Sequence, residues 1–310
     1  MPALTVDEPT VNMTFQVNKS PFAGQDGKYL TSRQIRERLD QELKHNVALR
    51  VDDTSDPDKF RVSGRGELHL SVLVETMRRE GFELAVSRPE VIMHDVDGVE
   101  HEPWEQLTVD FDEEYQGAVM TRLADRKGEL QNMFPDGKGR IRLDYNIPTR
   151  GLIGFRTEYM TATSGTGLIY HVLDKYAPRV KGAIAQRNNG TLVSMVTGKA
   201  LAYALFNLQE RGKLFVGHGA PVYEGMIVGI HKRQNDLVVN PTKAKQLTNI
   251  RAAGTDENLV LTPPLNYSLE QSLEFLDDDE LLEVTPHSLR LRKKLLKETD
   301  RKRESRQKAS

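Results

Sequence analysis

The stretch Val11-Asn-Met-Thr-Phe-Gln-Val17 alternates apolar and polar residues with a period of two, which predicts a half-buried β-strand. Ser32 then stands where it can cap a helix, in which Ile35, Leu39 and Leu43 form one apolar stripe. This strand and helix begin the unit whose further elements decide the fold.

The rest of this unit supplies two short strands, a second helix and a closing strand. We predict the strands at residues 47–51 and 60–62, the helix at residues 67–79 with Gly81 at its end, and the last strand at residues 82–86. The order is therefore β-α-β-β-α-β. This order predicts a ferredoxin-like split βαβ sandwich.

The same order of elements recurs after a short bridge. Strands are predicted at residues 105–111, 130–134, 140–145 and 167–173, and helices at residues 113–127, with Gly128 as the C-cap, and at residues 151–160. Between the two middle strands, Pro135-Asp-Gly-Lys-Gly139 has the composition of a hairpin turn. The second unit is therefore predicted to be another sandwich of the same kind.

From about residue 178 onward, glycines separate short apolar runs, which indicates a mostly-β unit. A helix at residues 200–209 interrupts it, and another begins near Ser268. The predicted fold class is α+β, with two ferredoxin-like sandwiches in series followed by a mostly-β C-terminal domain with a helix or two. We predict domains at residues 1–92, 93–177 and 178–310, joined by small interfaces.

Composition limits the class of protein. The 310 residues fit two to three domains, and 38% apolar with 28% charged residues suits small domains with large surfaces. No stretch approaches the roughly 20 apolar residues of a membrane span, and the first residues lack a signal pattern. Because the sequence has no cysteine, disulfides and thiolate metal sites are excluded. We predict a cytoplasmic protein.

The formal net charge of -2 conceals a segregation of charge. Residues 270–283 hold seven acidic residues and no basic one, whereas residues 287–310 hold ten Lys or Arg and three acidic residues. We interpret these runs as a solvated helix face followed by a frayed tail. Residues 179–269 hold eleven basic and five acidic residues, an excess that favours a polyanionic partner.

The segment at residues 240–255, NPTKAKQLTNIRAAGT, mixes cations, amides and turn formers without apolar periodicity, which predicts a long exposed loop. Its cations suit phosphates, and its amides and hydroxyls suit base edges and ribose hydroxyls. An ordinary solvated loop is the alternative that composition leaves open. The candidate RNA-binding residues are Lys232, Arg233, Asn240, Lys243, Lys245, Gln246, Thr248, Asn249 and Arg251.

No catalytic, cofactor or metal motif emerges. The sequence contains no G-x-x-x-x-G-K-[ST] loop, and the residues Asp95-Val-Asp-Gly98 are predicted to form a turn. Gly64-Arg-Gly66 could offer backbone N–H groups to a phosphate, but a tight strand-to-helix turn accounts for both glycines. His69 is expected to be a hydrogen-bonded interior residue, and the other histidines lack the spacing of a zinc site.

Several motifs resemble those of known families. SGRGELHL at residues 63–70 and ELAVSRPE at residues 83–90 resemble the third domain of elongation factor G and its relatives, and the second sandwich resembles their fifth domain. The final third resembles the C-terminal domain of the BipA (TypA) family. The motifs that carry this resemblance are EGMIVG at 224–229, NDLVVNP at 235–241, LTNIR at 247–251 and DELLEVTP at 279–286.

The resemblance implies the ribosome- and RNA-binding C-terminal portion of a translational GTPase that acts in assembly of the large (50S) ribosomal subunit and in stress or cold adaptation. It implies that the GTPase domain, which would bind GTP and Mg²⁺, is absent from this chain, so the chain is expected to be no enzyme and to hold no cofactor. The implied partners are the ribosome, large-subunit rRNA, A-site tRNA and ribosomal proteins near the factor-binding centre. We expect a monomer without membrane contact.

The alternative hypothesis is a protein-interaction scaffold whose basic tail binds acidic partners without RNA. The placement of charge distinguishes the two. RNA binding predicts that the cations of residues 232–251 share one exposed face, whereas a scaffold predicts exposed apolar patches.

Overall fold

The computed structural model describes residues 8–182, 184, 187, 189–245 and 259–309. Its strands form three sheets of four or more strands and one two-stranded sheet, and nearly all of the pairing is antiparallel. Within the described residues no helix has the length and apolar character needed to cross a membrane. The prediction of a mixed α+β fold is confirmed.

The first unit has the predicted order of elements. These are β1 (Val11–Val17), α1 (Ser32–Leu43), β2 (Arg50–Asp53), β3 (Lys59–Gly64), α2 (Glu67–Glu80), β4 (Leu84–Val86) and the short β5 (Glu90–Val91). The strands lie side by side as β4-β1-β3-β2, all antiparallel, and β5 pairs with the start of β1. This is the strand order of a split βαβ sandwich.

The ends of the two helices follow local signals in the sequence. The cap of α1 is Thr31 rather than Ser32, because the Thr31 hydroxyl accepts a hydrogen bond from the Gln34 backbone N–H and the Gln34 side chain accepts one from the Thr31 N–H. Ser32 is the first helical residue. Gly81 ends α2 as predicted, with φ of +98°.

The second unit repeats this arrangement. Its elements are β6 (His94–Val96), β7 (Val99–Asp112), a 3-10 turn (Glu113–Tyr115), α3 (Gln116–Asp125), β8 (Glu129–Pro135), β9 (Arg140–Pro148), α4 (Thr149–Leu152), α5 (Phe155–Ala162) and β10 (Leu168–Pro178). The strand order is β10-β7-β9-β8, and β6 forms a hairpin with the start of β7. The predicted turn at residues 95–98 joins that hairpin, with Asp97 and Gly98 both at positive φ.

The helices of the second unit differ in detail from the prediction. Helix α3 ends earlier than residue 127, and Lys127, not Gly128, takes the left-handed conformation, with φ of +62°. Gly128 is needed for another reason, since a Cβ there would lie 3.1 Å from the Leu123 carbonyl oxygen. The helix predicted at residues 151–160 is two helices, because Gly154, at φ of +72°, interrupts it.

The C-terminal third contributes its own small sheets and several further elements. They are β11 (Thr191–Ser194), β12 (Gly198–Lys199), α6 (Ala202–Leu208), β13 (Gly212–Leu214), β14 (Pro221–Val222), β15 (Ile227–His231), β16 (Leu237–Val239), α7 (Leu269–Phe275), β17 (Glu280–Val284), β18 (Leu289–Lys293) and α8 (Glu298–Ala309). One sheet has the order β13-β15-β11-β16, and β12 pairs with β14. Ser268 caps α7 through a capping box, close to the predicted start.

Strands β17 and β18 extend the sheet of the first unit. The full order is β18-β17-β4-β1-β3-β2, and Leu282 of β17 lies opposite Val86 of β4. Leu273 and Leu282 are buried in the same apolar core as Phe15. The structure therefore differs from the expectation of small interfaces between all three units, because the first and third units share a sheet and a core.

The acidic and basic runs near the end of the chain are not a solvated helix face and a frayed tail. Strands β17 and β18 bring the runs together, with Glu280 opposite Lys293 and Glu283 opposite Arg290. Both glutamates and Lys293 are buried. The opposite charges neutralise each other inside the fold, which composition along the chain does not reveal. The segment Glu298–Ala309 is helical.

Candidate nucleic-acid interface

The structure describes five of the nine candidate RNA-binding residues. These are Lys232, Arg233, Asn240, Lys243 and Lys245, and all five are exposed. The other four, Gln246, Thr248, Asn249 and Arg251, lie outside the described residues.

Lys232 and Arg233 lie in the turn between β15 and β16. The backbone of this turn is held at two points: the Lys232 N–H donates to the Arg211 carbonyl at 2.9 Å, and the Gly190 N–H donates to the Arg233 carbonyl at 2.7 Å. The two cationic side chains thus project into solvent from a fixed backbone, which suits contacts with phosphates.

Asn240, Lys243 and Lys245 follow β16. The Asn240 side-chain oxygen accepts hydrogen bonds from the Thr242 N–H at 3.0 Å and from the Thr242 hydroxyl at 2.9 Å, which is an Asx-type turn. The Leu201 N–H donates to the Pro241 carbonyl at 2.9 Å and ties the turn to the start of α6. One role of Asn240 is therefore to order the start of the loop that carries the two lysines.

The two groups of candidates lie at opposite ends of β16. Strand β11 runs parallel to β16 and antiparallel to β15. Lys232 and Arg233 accordingly lie next to Gly190, before β11, whereas Lys243 and Lys245 lie beyond its end. The sequence had suggested a single group on one face, and the described residues instead form two groups on one small sheet.

The acidic residue closest in sequence to the first group is neutralised by an ion pair. Asp236 accepts a bond from the Lys293 ammonium at 2.6 Å and one from the Thr191 N–H at 2.7 Å. Burial opposes ionisation of Asp236, but these bonds prevail and hold its pKa below the ordinary value. The positive charge of Lys232 and Arg233 is therefore not cancelled by Asp236.

The same lysine anchors the turn to the rest of the molecule. Lys293 is buried and also bonds Asp279 at 2.9 Å and Glu280 at 3.0 Å. Glu280 in turn pairs with Arg187 at 2.8 Å, and the Arg187 guanidinium lies 4.3 Å from the centre of the Phe275 ring. Burial disfavours the charge on Lys293, yet the carboxylates raise its pKa. This network fixes the β15–β16 turn against β17 and β18.

The glycines before α2 form the tight strand-to-helix turn that the sequence predicted. Gly66 has φ of +145°, and a Cβ on Gly64 would lie 2.9 Å from Nδ1 of His69. His69 is held by the Asn46 amide at 2.8 Å and by the Arg65 N–H at 3.3 Å. Burial lowers the pKa of His69, so the ring is neutral at physiological pH. His69 is therefore hydrogen-bonded as predicted, but it is half-buried at the edge of a groove rather than in the interior.

A groove of about 770 Å³ between α2, α5 and α7 was not predicted. Glu67 lines it, and the pKa of this carboxyl is raised to about 7 by burial and by the nearby Glu274. Its Oε2 accepts a 3.4 Å bond from the Gly154 N–H, and its buried Oε1 has no partner among the described residues. Because Glu67 and Glu274 are far apart in the chain, no local pattern could have paired them.

Comparison with known proteins identifies two domains. The family described as TypA/BipA C-terminal domain matches residues 189–298, and the family described as Elongation factor G C-terminus matches residues 99–187. These matches agree with the resemblances that the sequence motifs suggested.

The chain is also similar over its whole length to curated proteins named "Large ribosomal subunit assembly factor BipA". Those of Salmonella typhimurium and Haemophilus influenzae are 64% identical over 99% of this chain and 50% of their own length. That of Buchnera aphidicola is 58% identical over 100% of this chain and 51% of its own length. The chain thus spans about half the length of these relatives. It belongs to the BipA (TypA) family and corresponds to the C-terminal half of the family members it matches.

Proposed function

We propose that this chain is the ribosome- and RNA-binding portion of a translational GTPase that acts in assembly of the large ribosomal subunit. The observation that carries the proposal is the 64% identity, over 99% of the chain, to proteins named as large ribosomal subunit assembly factors. A role in stress or cold adaptation is part of the same proposal and rests on the family resemblance alone.

The proposed RNA contacts are the two groups of cations around the four-stranded sheet. Lys232 and Arg233 project from one end of β16, and Lys243 and Lys245 from the other. Large-subunit rRNA and A-site tRNA are the proposed nucleic-acid partners, and ribosomal proteins near the factor-binding centre are the proposed protein partners of the sandwiches. Exposed cations on an anchored backbone support the RNA assignment.

Co-sedimentation with purified large ribosomal subunits at several salt concentrations tests whether the loop contacts RNA. Each phosphate contact contributes about 0.7 to 0.9 to the slope of log affinity against log salt. Replacing Lys243, Lys245 and Arg251 by alanine is expected to weaken binding and to flatten this slope by about two to three contacts. The matched control replaces the exposed lysines Lys28, Lys44 and Lys138, which lie in the first and second units. An unchanged slope in the loop variant would exclude the loop as the RNA contact.

If the loop is excluded, α8 is the next candidate. Arg290, Arg292 and Lys293 belong to β18 and are largely buried, so they are not part of a flexible basic tail. Lys302 and Arg303 of α8 are exposed. Replacing both by alanine then separates an α8 contribution from that of the loop.

One observation favours protein contacts through the second sandwich. Leu168, Tyr170 and Val172 alternate along β10, and all three are exposed. Their cross-strand partners on β7, Asp110 and Thr108 among them, lie on the sheet face opposite the apolar core. Such an apolar strip is typical of a protein-binding surface. Replacing Tyr170 and Val172 by serine should weaken ribosome binding without changing its salt slope.

We also propose that the chain does not hydrolyse GTP. Its 310 residues contain no phosphate-binding loop to hold the β- and γ-phosphates or Mg²⁺. GTP turnover should therefore equal that of buffer, with or without ribosomes. Saturable GTP binding in the micromolar range would refute this proposal.

A further inference from the structure

Arg292 is a buried cation that forms no ion pair with a described carboxylate. The residue is 3% exposed, and its Nε has no hydrogen-bond partner among the described residues. Nη1 donates to the Lys293 carbonyl at 3.2 Å, and no described carboxylate lies within ion-pair distance of the guanidinium. The Glu283 carboxylate favours the charge from a longer distance but does not offset the burial, so Arg292 is an exception among the buried cations.

The other buried cations of the described chain have the partners that Arg292 lacks. Lys293, the next residue, is 2% exposed and bonds three carboxylates between 2.6 and 3.0 Å. Arg126, 4% exposed, pairs with Glu158 at 3.2 Å. The pKa values show the same contrast, because burial lowers that of Arg292 whereas the carboxylates raise that of Lys293.

Arg292 lines a groove of about 420 Å³ on the outer face of the first sheet, opposite the helices. Its position follows from the strand register: Arg292 lies opposite Leu281, and the outward residues of β1 include Thr14 and Gln16. Thr14, Gln16 and Leu281 line the groove, together with residues of the segment that follows β18. The lining of the groove therefore includes a hydroxyl and an amide as well as the guanidinium.

The remaining charges around the groove leave a positive excess. Lys19 pairs with Asp58 at 2.7 Å, and Lys59 pairs with Asp56 at 3.2 Å, so these four cancel. Lys294 also lines the groove, and its ammonium donates to a backbone carbonyl, that of Asp278. Lys294 forms no ion pair with a described carboxylate. Neither Arg292 nor Lys294 thus forms an ion pair with a described carboxylate, and the Glu283 carboxylate, which pairs with Arg290 at 3.0 Å, acts on Arg292 only from a longer distance.

We propose that this groove is a phosphate-binding site, in which Arg292 and Lys294 bind the phosphate oxygens and Thr14 and Gln16 supply neutral donors. A guanidinium matches a phosphate with two parallel hydrogen bonds, and an ammonium adds a second charge. A phosphate dianion balances both cations, whereas a single carboxylate balances one. None of the described residues 240–245 of the loop lines this groove. Its phosphate comes either from a small phosphomonoester or from the backbone of RNA.

Inorganic phosphate is the first probe, with thermal unfolding and calorimetric titration as readouts at constant ionic strength. Phosphate should raise the melting temperature of the unaltered chain, because a ligand that binds only the folded state stabilises it. Arg292→Met keeps the packing of the side-chain stem but removes the charge, and should weaken phosphate binding about tenfold or more. Without phosphate this variant should be at least as stable as the parent, since an unbalanced buried charge has been removed.

Two further variants make the result specific. Lys294→Met should weaken phosphate binding severalfold, whereas Lys138→Met, an equal charge change on an exposed hairpin of the second unit, should leave it unchanged. If Arg292→Met does not fold, Arg292→Lys retains the charge without the two-pronged geometry and should still bind phosphate more weakly than the parent. Phosphate affinity that survives the Arg292 variants within twofold overturns the proposal, as does an equal stabilisation by chloride.

Competition identifies the source of the phosphate. Glycerol 3-phosphate stands for small phosphomonoesters, and a single-stranded hexanucleotide without terminal phosphates presents only backbone phosphodiesters. Displacement of inorganic phosphate by the hexanucleotide assigns the groove to RNA, and displacement by glycerol 3-phosphate alone assigns it to a small molecule. If neither displaces it, the groove is not a phosphate-ester site. The loop at residues 240–251 is unaltered in every arm, so these results do not depend on its role.

Discussion

Glu67 lies where the three units of the chain meet. It begins α2 of the first unit, accepts a bond from Gly154 of the second, and lies near Glu274 of the third. Its carboxyl is therefore largely removed from water, and the long bond from Gly154 offsets little of that loss of hydration. That imbalance raises its pKa from 4.5 to about 7.

The raised pKa predicts a dependence of stability on pH. The folded state binds the Glu67 proton more tightly than the unfolded state, so the stabilisation is complete below pH 4.5 and is lost as the pH rises through about 7. Glu67→Gln, which mimics the protonated form, should match the parent near pH 4.5 and exceed it at pH 8. The gain is bounded at about 3 kcal/mol, since one pKa unit corresponds to roughly 1.4 kcal/mol. Urea unfolding of both proteins between about pH 4.5 and pH 8 measures this difference in the free energy of unfolding.

The control for this experiment is Glu114→Gln, which alters an exposed carboxyl. Its effect on the free energy of unfolding should be small and similar at both ends of the pH range. A Glu67→Gln curve parallel to that of the parent would show that Glu67 does not titrate differently in the two states.

The sequence suggested that Gly128 caps helix α3, but this role is shared by two residues, Lys127 and Gly128. Lys127 takes the left-handed conformation at φ of +62°, and the next residue is a glycine because of close packing. Lys127→Gly should therefore stabilise the chain by up to about 1 kcal/mol, through relief of backbone strain. Gly128→Ala should destabilise it, since the new methyl would meet the Leu123 carbonyl at 3.1 Å and Tyr145 at 3.2 Å. Chemical denaturation of both variants tests the pair.

At the scale of secondary-structure elements, local sequence patterns predicted the strands and helices whose bounds depend on local contacts. Strand β1 was predicted with its observed bounds, and α2 to within one residue, because alternation, the helical stripe and Gly81 all lie within each segment. Strands β17 and β18 were missed. In the sequence, their charged residues indicate solvent exposure. In the folded sheet, Glu280 and Glu283 lie opposite cations and can be buried, which no local pattern reveals.

Pairing of β17 with β18 predicts a large cost for removing one buried charge. Glu280 is buried between Arg187 and Lys293, at 2.8 and 3.0 Å. Glu280→Ala leaves both cations short of a partner and should destabilise the chain by about 3–5 kcal/mol. Asp52→Ala removes the exposed partner of Arg50 and should cost less than about 1 kcal/mol. Denaturant unfolding of the two variants gives the comparison.

A double-mutant cycle then measures the interaction energy between Glu280 and Lys293. Combining Glu280→Ala with Lys293→Met should cost less than the sum of the single changes, because the unbalanced ammonium is removed as well. Additive effects would mean that the Glu280–Lys293 contact contributes little to stability.

At the scale of the whole molecule, the order of elements along the chain predicted each sandwich but not how the units combine. Both sandwiches are formed by neighbouring segments, so their topology follows from local pattern and short connections. The extension of the first sheet by β17 joins segments almost two hundred residues apart, and no periodicity encodes it. The candidate RNA-binding residues show the same limit, because the sequence identified exposed cations but not their separation along β16.

The shared sheet predicts the number of unfolding transitions. Val193 and Ile227 of the third unit and Leu282 of β17 are buried in the core of the first unit, whereas the second core contains only residues of the second unit. The first and third units should therefore unfold together and the second apart from them, so that calorimetry resolves two transitions.

Core substitutions assign those transitions. Leu143→Ala, in the second core, should lower only one melting temperature, whereas Leu282→Ala should lower only the other; each change should cost about 2–5 kcal/mol. Val193→Ala is the decisive variant because Val193 belongs to β11, in a sheet of the third unit, yet packs into the first core. It should lower the same transition as Leu282→Ala. Three transitions, with Val193→Ala acting on one that Leu282→Ala leaves unchanged, would show that the first and third units fold independently despite the strands they share.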